Sequence, residues 1–265
     1  VGGTSGLIYG YVNDGFYTVA DFESFDSKSR TWKLKEGVVD SSPLSDTPRP
    51  GNAKFKKLTP VDPNSTNPYQ LTEADRTVIG NTTPKFSGGF GLNATYKGFD
   101  MSMFFNFMYD FDVLNANKIM LTTWADNKEN NFLMDIASDK RWRNFDDMGN
   151  EIRYSPEVLA EFNKNATMWN PTSIGRPICM SYAVEDGSFL RLNSATLGYT
   201  LPSVWTKKVG LSKVRFYVSG NNLFTLTGYS GYDPEVNIAT GLTPNIDYDR
   251  YPRSRTYTFG AQLTF

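Results

Sequence analysis

The sequence predicts an all-β fold, about six antiparallel strands forming part of a transmembrane β-barrel with long outer loops. Three observations predict it. Several segments alternate strictly between apolar and small or polar residues over ten or more positions, longer than the roughly 5–6 residues usual for a soluble strand. Phe, Tyr and Trp number 19, 15 and 5 among 265 residues, yet the mean hydropathy is negative, as alternation produces. Short and long connections also alternate along the chain.

A weak strand is expected somewhere in Leu7–Ala20. The next is sharper. Phe86, Gly88, Phe90, Leu92, Ala94 and Tyr96 occupy one face, and Ser87, Gly89, Gly91, Asn93, Thr95 and Lys97 the other. Lys97-Gly98 supplies a minimal hairpin turn. The following strand runs from Phe99 to Phe111 with Phe99, Met101, Met103, Phe105, Phe107, Tyr109 and Phe111 in phase. A fourth strand fits Ser188 to Thr200. Val214, Phe216 and Val218 alternate with Arg215, Tyr217 and Ser219 in a fifth. The last places Tyr257, Phe259, Ala261, Leu263 and Phe265 opposite Thr256, Thr258, Gly260, Gln262 and Thr264. The two runs joined at Lys97-Gly98, Phe86–Tyr96 and Phe99–Phe111, each reach the roughly 9–11 residues that cross a bilayer as a strand.

Lys97-Gly98 and Leu201–Ser212 are the short connections, the second broken by Pro202 and holding one helical turn in VWTKKVG. The long ones cover about 21–85, 112–187 and 227–254, lengths uncommon in compact domains and expected on the outer side of a barrel. The longest contains Trp124, Trp142 and Trp169, which argue for folded structure, and a short helix with Ser155 as N-cap and Pro156 at its first position. Six strands cannot close a barrel, since unpaired edges in lipid cost several kcal/mol per group. The sheet therefore needs further strands. The start, VGGTSGLIYG, lacks the basic and apolar regions of a signal peptide and reads as the middle of something longer.

Composition narrows the chemistry. Net charge is -1, with no basic field for nucleic acid. The absence of His removes the usual general base and the commonest zinc ligand, and Cys179 is the single cysteine. No paired carboxylates stand in a catalytic setting, so no catalytic residue, metal or cofactor is expected, and the chain is read as a non-enzyme. GGFG at 88–91 is glycine within a strand, with no Lys-Ser/Thr and no helix after it.

The segments GSFLRLNSATLGYTLP (187–202), FYVSGNNLFTLTGYSGYDPEV (216–236) and IDYDRYPRSRTYTFGAQLTF (246–265) are similar to the C-terminus of the SusC-type TonB-dependent transporters of Gram-negative outer membranes. So is DRTVIGNTTPKFSGGFGLNATYKGFDMSMFF (75–105), in matching order and spacing. The four segments together make up 88 of the 265 residues. It implies the C-terminal portion of a 22-stranded barrel (residues 1–265 being barrel and loops), with the plug and the TonB-contacting segment upstream. It implies TonB as energy source and a SusD-like surface lipoprotein as lid, with import of oligosaccharides or peptides through the cell outer membrane. One departure stands out. Many relatives carry an Asp/Asn-rich calcium-loop-like string before the segment matching Asp75-Arg76, where this chain keeps only Asp62, Asn64, Glu73 and Asp75, interrupted by Pro60, Pro63 and Pro68 and lacking the turn glycine.

Tyr229, Tyr232 and Asp233, just beyond the outer end of a strand, together with Trp124 and Trp169, are the candidate substrate-binding residues, since rings stack on sugars and carboxylates accept hydroxyls. The competing assignment is architectural, with Gly228, Gly231 and Pro234 shaping a turn that Tyr232 packs. Arg250, Arg253 and Arg255 suit an anionic ligand, or salt bridges to Asp247, Asp249 or Glu235. Tyr257, Phe259, Leu263 and Phe265 resemble the terminal signal by which barrel-assembly machinery recognises its clients. Two other classes remain open on these residues, an outer-membrane barrel without active transport (adhesin or secretion component) and a soluble all-β carbohydrate-binding module.

Overall fold

The computed structural model describes residues 4–123, 132–174, 176–236, 245–248 and 251–265. They form two compact units. One comprises Leu7–Gly80 with Leu114–Val184, the other Asn81–Val113 with Glu185–Phe265 and Thr4–Gly6.

The second unit is built on a five-stranded antiparallel sheet. Its strands are β1 (Phe86–Tyr96), β2 (Phe99–Tyr109), β3 (Phe189–Thr200), β4 (Lys213–Thr227) and β5 (Thr256–Thr264). Each pairs with its sequence neighbour, so the sheet is a simple meander with β1 and β5 at its edges. Lys97 and Gly98 both adopt positive φ (47° and 89°), as the two-residue turn between β1 and β2 requires, and glycine supplies the second at no steric cost. The turn between β3 and β4 carries helical residues Ser203–Thr206 and Lys207–Val209, ended by Gly210 at φ 74°. Among the described residues no helix is long and apolar enough to cross a membrane.

Register assigns every side chain to a side, because directly paired residues share one. Tyr96, Phe99, Tyr199 and Phe216 line up across four strands, as do Ala94, Met101, Leu197, Val218 and Phe259 across five. On β3 the alternation slips once: Leu192 pairs Phe105 while Ser194 pairs Phe104, leaving Asn193 as a bulge. Beside it β4 carries an irregularity of its own, with Asn222 at φ 52°.

Two expectations are corrected. The second long strand stops at Tyr109, because Asp110 turns the chain at φ 59°, and Phe111 packs instead with Val113, Phe189, Tyr229 and Val236. The weak strand sought in Leu7–Ala20 is two four-residue strands, Leu7–Gly10 paired with Thr77–Asn81 and Asn13–Phe16 paired with Ala53–Phe55. The polar run Asn13-Asp14-Gly15, with Gly15 at φ 76°, breaks the alternation that a long strand needs. The large sheet thus holds five described strands.

The first unit is made mostly from the two longest connections. Its main core packs Tyr11, Phe55, Leu71, Ile136, Trp169 and Met180, and a second cluster joins Trp142, Ile152 and Leu159. The helix Pro156–Phe162 starts as expected, with Ser155 as N-cap and Pro at its first turn, and buries Leu159. Tyr17 is fully buried, its hydroxyl donating to the Val39 carbonyl at 2.6 Å and lying 2.8 Å from Ser41 Oγ. Burial pushes its hydroxyl up to about 12.

Candidate functional site

The sheet has two chemically distinct faces. One carries Phe86, Phe90 and Leu92 from β1, the odd residues of β2, Leu190, Leu192, Leu197 and Tyr199 from β3, Phe216, Val218, Phe224 and Leu226 from β4, and Tyr257, Phe259 and Leu263 from β5. Many of these are solvent-exposed, including Phe259 at 81 % and Phe86 at 62 %. Rings meet at both ends of the face, Phe86 stacked on Tyr109 at 6.2 Å and Phe99 tilted against Tyr199 at 4.5 Å. An apolar band with aromatic ends is the surface a barrel turns to lipid.

The opposite face bears mostly Ser, Thr, Gly and Asn, with Phe104, Met108, Phe189 and Tyr217 set among them, and two ionic groups. Near the short turns, Arg215 Nε donates to Asp100 Oδ1 at 2.9 Å, reaching from β4 over β3 to β2. The bridge is possible because β3 presents Gly198 beneath it, where a Cβ would lie 2.4 Å from Arg215 Nη2 and 2.6 Å from Asp100 Oδ1. Near the long loops, Arg191 is 2 % exposed and donates to Asp233. Arg191 also lies 3.6 Å from Glu235, which in turn binds Arg253 at 2.7 Å. Such buried charge survives only when paired, so the network pins the segment 229–236 to the sheet. Tyr229 adds a neutral anchor, its hydroxyl donating to Asp247 Oδ2 at 2.6 Å, and burial foremost, with that carboxylate, raises its pKa.

No family model matches the chain. TonB-dependent receptor P3 of Formosa agariphila is 33 % identical over 266 residues, which is 98 % of this chain and 22 % of that protein. TonB-dependent receptor SusC of Bacteroides thetaiotaomicron is 36 % identical over 88 residues, 32 % of this chain and 8 % of that protein. The chain belongs to the SusC-like TonB-dependent receptors. The solved structure of the RagAB peptide transporter has the same fold over 99 % of this chain and 23 % of that one, with a TM-score of 0.58 at 22 % identity. This SusC-like chain thus spans about a fifth of the length of the curated relative matched along almost its whole length (22 %).

The proposed ligand residues of the SusC-like chain scatter. Tyr229 and Asp233 are buried in the anchoring cluster just described, and Tyr232, between them, is 86 % exposed. Trp169 is core, its indole N–H donating to the Thr122 carbonyl at 3.3 Å and its ring edge-on to Tyr182 at 4.8 Å. Trp124 lies outside the described residues, as do Asp249 and Arg250. Tyr257, Phe259 and Leu263 share the apolar face, followed by the exposed Phe265.

Of the four oxygens considered for calcium, Asp75 is fully buried and accepts from Leu58 N–H at 2.9 Å, Thr59 N–H at 2.7 Å and Thr72 N–H at 2.8 Å. Burial by itself would raise its pKa, but the hydrogen bonds from Thr59, Thr72 and Leu58 outweigh it and hold the carboxyl well below the usual range. Asp75 therefore staples a loop and turns its oxygens to backbone. Arg191 was not among the sequence candidates. Its signal is present in FLRLN, an arginine flanked by strand hydrophobes that must be buried with a partner.

Proposed function

We propose that the chain is the C-terminal wall, with part of the mouth, of an outer-membrane barrel that imports a nutrient, an oligosaccharide or a peptide. The apolar face carries this reading. Five strands of nine to fifteen residues present one unbroken hydrophobic surface, far beyond the few hundred Å² that a soluble monomer tolerates, opposite a polar wall with paired charges. Both edges of the sheet are unpaired among the described residues, which suits strands waiting for barrel neighbours.

In the mechanism we propose, cargo is captured beneath a SusD-like lipoprotein, and TonB pulls on a plug to open the path. The chain contributes wall and loops and no reacting group. Tyr257, Phe259, Leu263 and Phe265 serve as the assembly signal.

The test is to express the complete receptor in a Gram-negative host and fractionate the envelope. An outer-membrane band that shifts on boiling, and uptake that stops when TonB is deleted, are the expected results. A soluble periplasmic product, or uptake indifferent to TonB, overturns the reading.

A further inference from the structure

The loop unit contains a groove that the membrane face does not explain. Arg30, Arg49 and Arg153 line a cavity of about 100 Å³ together with Tyr154 and Asn144. A wider cleft of about 450 Å³ shares Arg153 and Asn144 and adds Arg141, Arg143 and Phe145. Arg153 pairs with Glu151, and Arg143 with Asp147 at 2.7 Å. Among the described residues neither Arg30 nor Arg49 has a carboxylate within ion-pair distance, and Asp46 is the lining acid.

Tyr154 organises the cations. Arg30 lies 4.7 Å and Arg153 5.6 Å from its ring centroid, and the ring stacks on Phe25 at 6.1 Å. Two guanidinium groups held on one ring repel each other, and a bound anion removes that repulsion. Their planar forks match carboxylate and sulfate oxygens in pairs, a fit that lysine does not give. The remaining lining supplies side-chain amides and hydroxyls, from Asn144, Asn170 and Thr172, which suit the ring hydroxyls of a sugar, and Phe145, 46 % exposed, offers a ring to stack on.

We infer that this groove binds the acidic units of an oligosaccharide, seating a carboxylate or sulfate against Arg30, Arg49 and Arg153. The inference rests on the import reading for the nature of the ligand as cargo, while the binding itself is measurable without transport.

The experiment titrates the purified full-length receptor in detergent with trigalacturonate, a sulfated galactotriose, neutral galactotriose and oligoglutamate. Both acidic sugars should bind, more weakly as salt rises, and the neutral sugar much less. R30A/R49A should weaken the acidic sugars by about tenfold or more, and R30K/R49K should restore only part of the loss. Arg30 and Arg49 are exposed, so neither variant threatens the fold. Acidic sugars binding no better than neutral ones, unchanged affinity in R30A/R49A, or binding of oligoglutamate alone each overturn the inference. In all three cases TonB-dependent uptake of some other cargo would leave the import reading standing, whereas a failure of that reading shows separately in the fractionation.

Discussion

Replacing Phe259 by arginine distinguishes a lipid-facing strand from a water-facing one, because the two surroundings demand different costs. Phe259 adjoins Gly260, the centre of the nine residues Thr256–Thr264. At about 3.3 Å per residue and a tilt of about 40°, those residues span about 23 Å, close to the ~25 Å apolar band of an outer-membrane barrel. Phe259 then lies within about 3 Å of the midplane, where arginine costs about 2–4 kcal/mol. Leu263, three residues from the centre, sits about 8 Å out, and the cost there falls toward the ~0–1 kcal/mol of the interface. In water an exposed side chain such as Phe259 tolerates the same change within about 0.5 kcal/mol. Urea unfolding of the complete receptor from phospholipid vesicles, followed by tryptophan fluorescence and by gel mobility without boiling, measures the difference. The expected order of destabilisation is F259R, then L263R, then T258R on the polar face. F259R no worse than T258R would refute the reasoning.

Arg191→Ala strands the carboxylate of Asp233 and leaves Glu235 with Arg253 alone, and should cost about 3–5 kcal/mol locally, seen as faster amide exchange over residues 229–236 with little change in β1 and β2. Asp75 has its folded-state pKa depressed, so the stability it contributes is complete above the ordinary aspartate value of about 3.9 and disappears as pH falls toward the lower folded value. Amide exchange at Leu58 and Thr59 should therefore accelerate in acid, and D75N should remove that acid dependence. Gly198→Val drives a side chain into Arg215 and Asp100 and should cost about 1–3 kcal/mol in the same urea assay, whereas Gly228→Ala, with nothing within 4 Å of the added Cβ, should not.

Much of the sheet was legible because its information is local. The Phe86–Tyr96 and Phe99–Tyr109 alternation, the Lys97-Gly98 turn and the Ser155-Pro156 helix start each depend on neighbours within a few residues. Contacts distant in sequence were not legible. Nothing near Arg191 in the chain reveals that its partner stands 42 residues on, although the Arg253–Glu235 pairing was among the options that the charges allowed. Trp169 and Tyr229 carry the composition of ligand residues, and only the packing around them shows that burial consumes their faces. Phe111 continues the apolar phase of β2 perfectly, and a single left-handed residue, Asp110, takes it elsewhere.

Asn193 gives β3 an odd grammar. Before it, odd numbers mean the side of the ion pairs and hold Arg191; after it, odd numbers mean the greasy side and hold Leu197 and Tyr199. One surplus residue thus lets a cation and a tyrosine eight positions apart face away from each other on the same ribbon. A strand copied from this one without that spare residue's offset, keeping its lower half in place, would aim the guanidinium into hydrocarbon.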